Sequence, residues 1–332
     1  MNCPNCHQPN AVTARFCPDC ETPLPTSTDR TRIGAIAVDA MGDSSVIQVG
    51  VPQGVPGSEH CPICGAYNLP DKTFGCKQCG RAFICREHQD KATDWCRECV
   101  AAEQTRFEAE RNPAGLEWVE APAGPFLYGD DKERAHIATP YLIGKYPVTQ
   151  AQYQRFIDAN PAVEVPFVDA DRAKPYNWNQ RTRRHPADRS SHPVVLVTWH
   201  DAVAFCQWAK CRLPTEQEWE RAARGPSTGS GDGRIYPWGN DWVNGKYCNS
   251  REAGIGGTTT VEAYPLGVSP AGAWDMAGNV WEWTDSLYDN TNSYRVLRGG
   301  SWGYEATVVR AAYRLWLFPV GRGVGGGFRC AR

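Results

Sequence analysis

Apolar and polar positions fall into a helical rhythm at three places along this 332-residue chain. Thr149, with Gln152 three positions on, forms a capping-box start, and Tyr153, Phe156 and Ile157 then share one face. Thr198 with Asp201 opens a second helix through Val203, Ala204, Cys206, Gln207 and Trp208. Thr215 with Glu218 opens a third through Trp219, Ala222 and Ala223, which the glycine at 225 should end. Beyond Gly115 the chain otherwise has few periodic runs, many glycines and 12 of its 13 tryptophans, the pattern of an irregular fold that mixes helix, strand and much loop.

The first hundred residues read differently, and composition near residue 113 divides a cysteine-rich part from a tryptophan-rich one. Residues 21–60 are rich in Pro, Thr, Ser and Gly and read mainly as linker. Within them, the β-prone runs 33–38 and 46–51 flank Met41-Gly42-Asp43-Ser44 and can pair as a hairpin. Ile47-Gln48-Val49-Gly50 also resembles the core tetrad of amyloid-type homotypic motifs, which makes self-assembly through 33–51 the alternative.

Eleven of the 15 cysteines lie in the first 99 residues, nearly all as Cys-x-x-Cys pairs, which favours metal over disulfides. Cys3, Cys6, Cys17 and Cys20 form two knuckles ten residues apart, enough for one tetrahedral Zn²⁺, and resemble a short bacterial zinc ribbon. Cys61 and Cys64, Cys76 and Cys79, Cys85 and His88, and Cys96 and Cys99 supply eight ligands for two more ions. Only five residues separate Cys79 from Cys85, which suits a cross-brace in which alternate pairs share an ion, as in RING-like and FYVE-like fingers; sequential pairing stays open. With Phe74, Phe83 and Trp95 as its main large apolar residues, this segment must draw much of its folding free energy from zinc, so all three sites are expected to be structural.

The net charge of −2, from 35 basic and 37 acidic side chains, gives no field that would draw the chain to nucleic acid or an anionic membrane. Lys72, Lys77, Arg81, Arg86, Lys91 and Arg97 are interleaved with acids, so the finger is expected to recruit a protein effector rather than DNA or RNA. No apolar run approaches the ~18 residues of a membrane span, and Met1 leads straight into Cys3 without a basic-then-apolar segment, so the expectation is a cytoplasmic, membrane-free protein. The expected organisation is a zinc ribbon at 1–25, a linker at 26–59, a two-zinc cross-brace finger at 60–102, a linker at 103–114 and a single domain at 115–332.

That last domain carries Gly144-Lys145-Tyr146-Pro147-Val148-Thr149, Arg212-Leu213-Pro214-Thr215-Glu216 and Tyr236-Pro237-Trp238-Gly239. It continues with Asp275-Met276-Ala277-Gly278-Asn279-Val280-Trp281-Glu282-Trp283, Arg298-Gly299-Gly300-Ser301-Trp302 and Gly327-Phe328-Arg329-Cys330. In this order the motifs resemble the formylglycine-generating-enzyme, or sulfatase-modifying-factor, family over most of 115–332. The resemblance implies an α+β, C-type-lectin-like fold and does not by itself imply an activity.

Family oxidases carry two cysteines, five residues apart, that hold Cu(I) and engage the substrate thiol. Aligning Arg310 and Arg314 with their segment puts those positions at Ala306 and Ala311, where no thiolate exists. The related iron-dependent sulfoxide synthases need a histidine set with a partner spacing that His136, His185, His192 and His200 lack. Both enzyme readings are therefore disfavoured. The resemblance also implies one Ca²⁺, held by the Asp275 side chain, the Gly278 and Val280 carbonyls and Glu282, against the alternative that these carboxylates make loop hydrogen bonds. The family's second calcium site would use Asn249 and Ser250 but has Ala253 in place of its carboxylate. Cys206 and Cys330 match positions that some members bridge; Cys211 and Cys248 have no assigned role.

From about 298 to 332 the chain looks like the variable proteins of diversity-generating retroelements, whose C-terminal lectin-fold domain is rewritten at adenine-containing codons ahead of a Gly-Phe-Arg-Cys-type terminus. Ser301, Trp302, Arg310, Ala311, Arg314, Pro319, Arg322, Gly327, Phe328, Arg329 and Cys330 read as framework. Between them stand Gly303, Tyr304, Val308, Tyr313, Leu315, Leu317, Phe318, Val320, Gly321, Gly323, Val324, Gly325 and Gly326. Randomised adenines of an AAC codon yield Tyr, Leu, Val, Phe and Gly, the only types at these thirteen positions. Glu305 and Trp316 cannot arise that way and fall outside the set. The expected function is non-catalytic binding of a target, with Tyr304, Tyr313, Leu315, Leu317, Phe318 and Val320 as anchors. Because the set lacks the clustered polar groups a sugar site needs, the expected target is a protein.

Overall fold

The computed structural model describes residues 95–227, 233–291 and 293–332, with 73–74, 76–79, 84–85, 89–90 and 93 ahead of them. The chain divides into two units, Met1–Ser58 and Glu59–Arg332, and the described residues all belong to the second. The ligands Cys3, Cys6, Cys17, Cys20, Cys61, Cys64 and His88 and the 33–51 segment lie outside the described residues. Among the described residues, no helix is long and apolar enough to cross a membrane.

The finger contributes two very short antiparallel pairs, β1 (Thr73–Phe74) with β2 (Ile84–Cys85) and β3 (Gln89–Asp90) with β4 (Trp95–Cys96). Helix α1 (Arg97–Arg111) follows β4 directly. Most of the stretch expected as a linker at 103–114 is therefore helical. Its Ala, Glu, Gln and Arg residues are strong helix formers, and Glu98 at the start and Arg111 at the end complement the helix dipole. Periodicity misses such a helix because it has no continuous apolar stripe.

In the larger domain β5 (Trp118–Ala121) pairs with β8 (Tyr141–Gly144), and β6 (Gly124–Tyr128) forms a hairpin with β7 (Glu133–Ile137). Helices α2 (Gln150–Ala159), α3 (Trp199–Trp208) and α4 (Glu216–Arg224) follow. Each begins where the sequence places it: Thr149, Thr198 and Thr215 accept the N3 amides, and Gln152, Asp201 and Glu218 reach back to the N-cap amides. Gly225, at a φ of 85°, ends α4.

The principal sheet comprises β9 (Trp281–Leu287), β10 (Arg295–Arg298), β11 (Arg314–Leu317) and β12 (Gly326–Phe328), in the order β11-β10-β9-β12. Only β12 runs parallel to its neighbour, β9. Tyr153 and Phe156 of α2 and Phe205 of α3 pack with Trp178, Trp283 and Phe328 in the main core. Tyr153 stacks on Phe205 at 5.6 Å and meets Phe328 edge-on at 6.3 Å. Such ring pairs add about 0.5–1.5 kcal/mol each beyond area burial. A second core gathers Trp219, Ala222 and Ala223 of α4 with Met276 and Ala311.

Two buried ionic groups tie these layers together. Arg329, fully buried, grips both oxygens of Glu282, through Nε at 2.6 Å and Nη2 at 2.7 Å. Its remaining donors reach the carbonyls of Gly144 and Trp274, and the Trp219 indole N–H donates to the same carboxylate at 2.6 Å. Nearby, Arg298 bridges Glu216 and Glu220, while Arg314 forks onto Glu216. Burial works against ionised Glu216, but the Arg298 and Arg314 guanidiniums outweigh it and hold its carboxyl below the usual range.

Removing one partner of a buried pair strands the other charge. Arg329→Met is expected to cost about 3–5 kcal/mol in chemical denaturation, and Arg329→Lys to rescue little, because an ammonium cannot reproduce the planar fork.

Candidate ligand-contact surface and metal sites

The residues between Ser301 and Phe328 fold back over the open face of β9 and β10. They enclose a cleft of about 360 Å³, lined among others by Gly303, Tyr304, Leu315, Leu317, Gly321, Gly323, Val324 and Gly325. With Gly326, nine of the thirteen expected variable residues thus share one cavity. The strand period explains part of this. Along β11, Leu315 and Leu317 point toward the core side and Arg314 and Trp316 away, the alternation of an edge strand.

The other four lie elsewhere. Phe318 and Val320 are outside the cleft and are 49% and 68% exposed. Val308 and Tyr313 are half-buried and do not line the cleft; both pack against the main core, as Leu315 and Leu317 also do, so each presents only part of its side chain. Conversely, the cleft takes in Val197, Trp281, Trp283 and Leu297 from the framework and Arg172 at its margin, none of which sequence reasoning placed there. Trp281 and Trp283 stood out in the sequence as family signature; their place beneath the loop depends on β12 pairing in parallel with β9. Trp316, set aside on codon grounds, is exposed and meets Tyr294, which also meets Phe318.

The loop is held by its main chain. Trp281 N–H donates to the Gly325 carbonyl at 2.7 Å, Leu196 N–H to Gly323 at 3.1 Å and Trp199 N–H to Pro319 at 3.0 Å. Arg251 donates through its amide to the Tyr304 carbonyl and through Nε to Gly303. Trp302 donates through its indole to the Val324 carbonyl at 3.4 Å. These bonds do not involve the contact side chains, which sit on a backbone fixed by other residues. The glycines follow this division only in part. Gly300 has a φ of +71°, and a Cβ there would lie 2.6 Å from Val309; at Gly327 a Cβ would lie 2.5 Å from the Val194 carbonyl oxygen. Gly303 and Gly323 have neither constraint, with nothing within 4 Å of an added Cβ, whereas Gly321 and Gly325 of the same expected set would place a Cβ 2.6 Å from Leu317 and 2.8 Å from Ser301.

The positions aligned with the oxidase cysteines carry only methyl groups. Ala311 is fully buried beside Trp219, and Ala306 is fixed through its backbone to Glu252 and Tyr236. Among the described residues, no histidine belongs to a group of three or more candidate metal ligands.

In the finger, Cys76, Cys79, Cys96 and Cys99 place their sulfurs within 4.8 Å of one another. The Cys76–Cys99 and Cys79–Cys96 separations are 3.8 and 3.9 Å. Tetrahedral Zn²⁺ with bonds of about 2.3 Å requires sulfur edges of about 3.8 Å, so the donors fit zinc. Burial works to raise the Cys76 thiol, but the backbone amides of Cys79, Cys96 and Gln78 outweigh it and draw it down to about 6. The second and fourth pairs meet, as a cross-brace requires.

The four expected calcium residues fit the ion less well. Asp275 is buried, accepts from Asn279 through Oδ2 and leaves Oδ1 without a partner, as a ligand oxygen would be. Burial pushes its carboxyl up to about 7. Glu282, by contrast, is engaged by Arg329 and Trp219 through both oxygens, which sets it apart from the expected ligand set. The backbone at Gly278 and Val280 flanks Asn279, whose side chain links Asp275 to Asn249 and Thr259.

A family described as the sulfatase-modifying factor enzyme 1-like domain matches residues 103–332, and a double zinc ribbon matches residues 3–80. The hercynine oxygenase of Mycobacterium tuberculosis is 36% identical over 244 residues, 61% of this chain and 55% of that protein. This chain therefore spans little more than half the length of that relative. The inactive C-alpha-formylglycine-generating enzyme 2 of Bos taurus is 32% identical over 273 residues, 66% of this chain and 89% of that protein. Among solved structures, PvdO from Pseudomonas aeruginosa superposes with a TM-score of 0.54 at 23% identity, covering 67% of this chain and 96% of that one. Treponema denticola variable protein 1 gives a TM-score of 0.48 at 22% identity over 65% of this chain and 94% of that one. The fold is the expected C-type-lectin-like one, and proteins named as enzymes and as an inactive homologue share its sequence family.

The glycine division can be tested directly. Gly303→Ser and Gly323→Ser are expected to change unfolding free energy by no more than about 0.5 kcal/mol. Gly300→Ala and Gly327→Ala are expected to lose about 2 kcal/mol or more, since strain or a backbone collision must be relieved.

Proposed function

This chain belongs to the sulfatase-modifying factor enzyme 1-like family, and on that premise we propose that it is a non-catalytic member that binds a protein target through its C-terminal cleft and rim. The observation that carries this reading is the separation of scaffold from contact: main-chain bonds from Trp281, Leu196, Trp199 and Arg251 hold the loop whatever side chains it displays. Leu315 and Leu317 line the cleft, Tyr304 stands at its mouth, and Phe318 and Val320 extend the apolar area outward. Such a surface binds by desolvating apolar anchors, which suits a protein partner.

The same separation supports diversification of this segment by a retroelement. All thirteen variable positions are exposed or only partly buried, whereas six of the eleven framework residues, Ser301, Ala311, Gly327, Phe328, Arg329 and Cys330, are buried; Trp302, Arg310, Arg314, Pro319 and Arg322 are not. Substitution costs little at the open variable positions, such as Gly303 and Gly323, and is disruptive at the buried framework; Gly321 and Gly325, where an added Cβ would lie 2.6 Å from Leu317 and 2.8 Å from Ser301, are the exceptions in the first set.

Enzymatic oxidation is the competing reading, since relatives are named as an oxygenase and as formylglycine-generating enzymes. Against formylglycine generation stand the methyl groups of Ala306 and Ala311 where that chemistry needs thiolates. The two are separated by adding one equivalent of Cu(I) and a cysteine-containing peptide: no oxidation of the peptide is expected, and turnover would overturn the binding reading. For a target isolated on the intact protein, Leu317→Ala and Phe318→Ala are each expected to weaken affinity about tenfold or more, the effect of losing a buried anchor, with the melting temperature unchanged in Phe318→Ala, whose side chain is exposed. In the genome, a reverse-transcriptase gene beside an adenine-differing copy of the 3′ coding sequence is the expected setting.

The N-terminal third is then a zinc-stabilised adaptor for an effector or for self-assembly, with Cys3, Cys6, Cys17 and Cys20 on one ion, Cys61, Cys64, Cys85 and His88 on a second and the Cys76 group on a third. Calcium at Asp275 is a lesser part of the reading, with Glu282 outside its ligands. Elemental analysis is expected to give three zinc ions per chain, falling by one in Cys96→Ser, and calcium that is lost in Asp275→Ala.

A further inference from the structure

Three thiols outside the finger meet at the edge of the main core. Cys206 on α3, Cys211 just beyond that helix and Cys330 just after β12 place their sulfurs within 4.8 Å of one another, and Cys206 and Cys330 are 3.6 Å apart. Burial divides their roles. Cys206 and Cys330 are 2% and 1% exposed, so a dissolved oxidant has almost no access to them, whereas Cys211 is only partly buried. We propose that Cys211 is an oxidisable thiol that relays disulfide bonding into the buried Cys206–Cys330 pair.

The chemistry needs a thiolate that solvent can reach beside thiols that can resolve its oxidation. The thiols of Cys206 and Cys330 hydrogen-bond to Cys211 and hold it down to about 5, with Arg332 and Arg212 assisting and burial opposing. Burial keeps the two inner thiols protonated, far above the usual thiol range. The trio therefore holds one nucleophile and two proton-bearing partners.

A hydroperoxide is the oxidant. The Cys211 thiolate attacks its terminal hydroxyl oxygen, the O–O bond breaks, and Cys211 becomes a sulfenic acid as hydroxide or alkoxide leaves. The Cys330 thiol then attacks the sulfenic sulfur, its proton leaves with the hydroxyl as water, and a Cys211–Cys330 disulfide forms. Cys206 gives its proton to the hydroxide or alkoxide of the first step, which becomes water or an alcohol, attacks Cys330, displaces Cys211 as thiolate and leaves the disulfide on the buried pair. Two thiols lose two electrons and two protons in total, and Cys211 is regenerated. The product fastens the residue that follows the contact loop to helix α3.

The test uses the intact zinc-loaded chain, reduced, exposed to one equivalent of hydrogen peroxide, quenched with N-ethylmaleimide and mapped by peptide mass spectrometry. The expected product is a Cys206–Cys330 disulfide with Cys211 alkylated. In Cys211→Ser its formation should slow about tenfold or more, because the accessible thiolate is gone, and in Cys206→Ser the reaction should stop at Cys211–Cys330. Formation of Cys206–Cys330 at the wild-type rate in Cys211→Ser would overturn the relay. So would wild-type protein in which Cys211 reacts no faster than Cys248, a buried thiol outside the cluster, a comparison that requires no variant to fold.

Discussion

The buried fork between Arg329 and Glu282 is the contact on which the rest of the lectin-like domain depends. It sits where β12 lies parallel to β9, and its spare donors fix the end of β8 at Gly144 and the loop at Trp274. Trp219 adds α4 to the same carboxylate. An isolated buried guanidinium would be strongly unfavourable, but this one has both carboxylate oxygens and two carbonyls as partners. Its contribution is as much specificity as stability, because few arrangements of these four segments would satisfy every donor.

Above that anchor the chain separates the tasks of holding and touching. The loop after Ser301 has no regular hydrogen-bonding partner strand for most of its course, yet its carbonyls at Gly303, Tyr304, Pro319, Gly323, Val324 and Gly325 accept from residues outside the expected variable set. Leu196 illustrates the constraint: held at a φ of 62°, it donates its amide to Gly323 and offers its carbonyl to Arg322. A backbone defined in this way tolerates replacement of its side chains, the property a recognition surface needs and a catalytic centre, which must fix reacting groups within fractions of an ångström, does not.

Sulfur serves two purposes in the molecule. In the finger, four cysteines gathered from two distant pairs are a tetrahedral donor set that replaces the hydrophobic core a segment this small cannot build. In the lectin-like domain, three cysteines share a small volume without a fourth ligand of the same kind. The accessible one is set off from its neighbours by hydrogen bonding and the buried ones by desolvation, so geometry and reactivity are matched. Calcium occupies a weaker position, because one of its expected carboxylates is committed to the Arg329 anchor.

The local features of this protein could be read from its residues. Capping boxes fix the starts of α2, α3 and α4 because each is a closed circuit within four residues, and the ordered motifs after Gly115 carry the fold family. Cysteine spacing revealed metal chemistry, and codon arithmetic marked thirteen positions none of which is fully buried. What sequence reasoning missed depends on distance along the chain. Helix α1 lacks an apolar stripe, so propensity alone had to announce it. The assignment of Glu282 to Arg329, the meeting of Cys211 with Cys330, and the floor that Trp281 and Trp283 give the cleft all join segments that only the closed sheet brings together. A residue's local pattern determines what it can do; which partner it serves is settled by packing and by the need to satisfy buried charge, and both act across the whole domain.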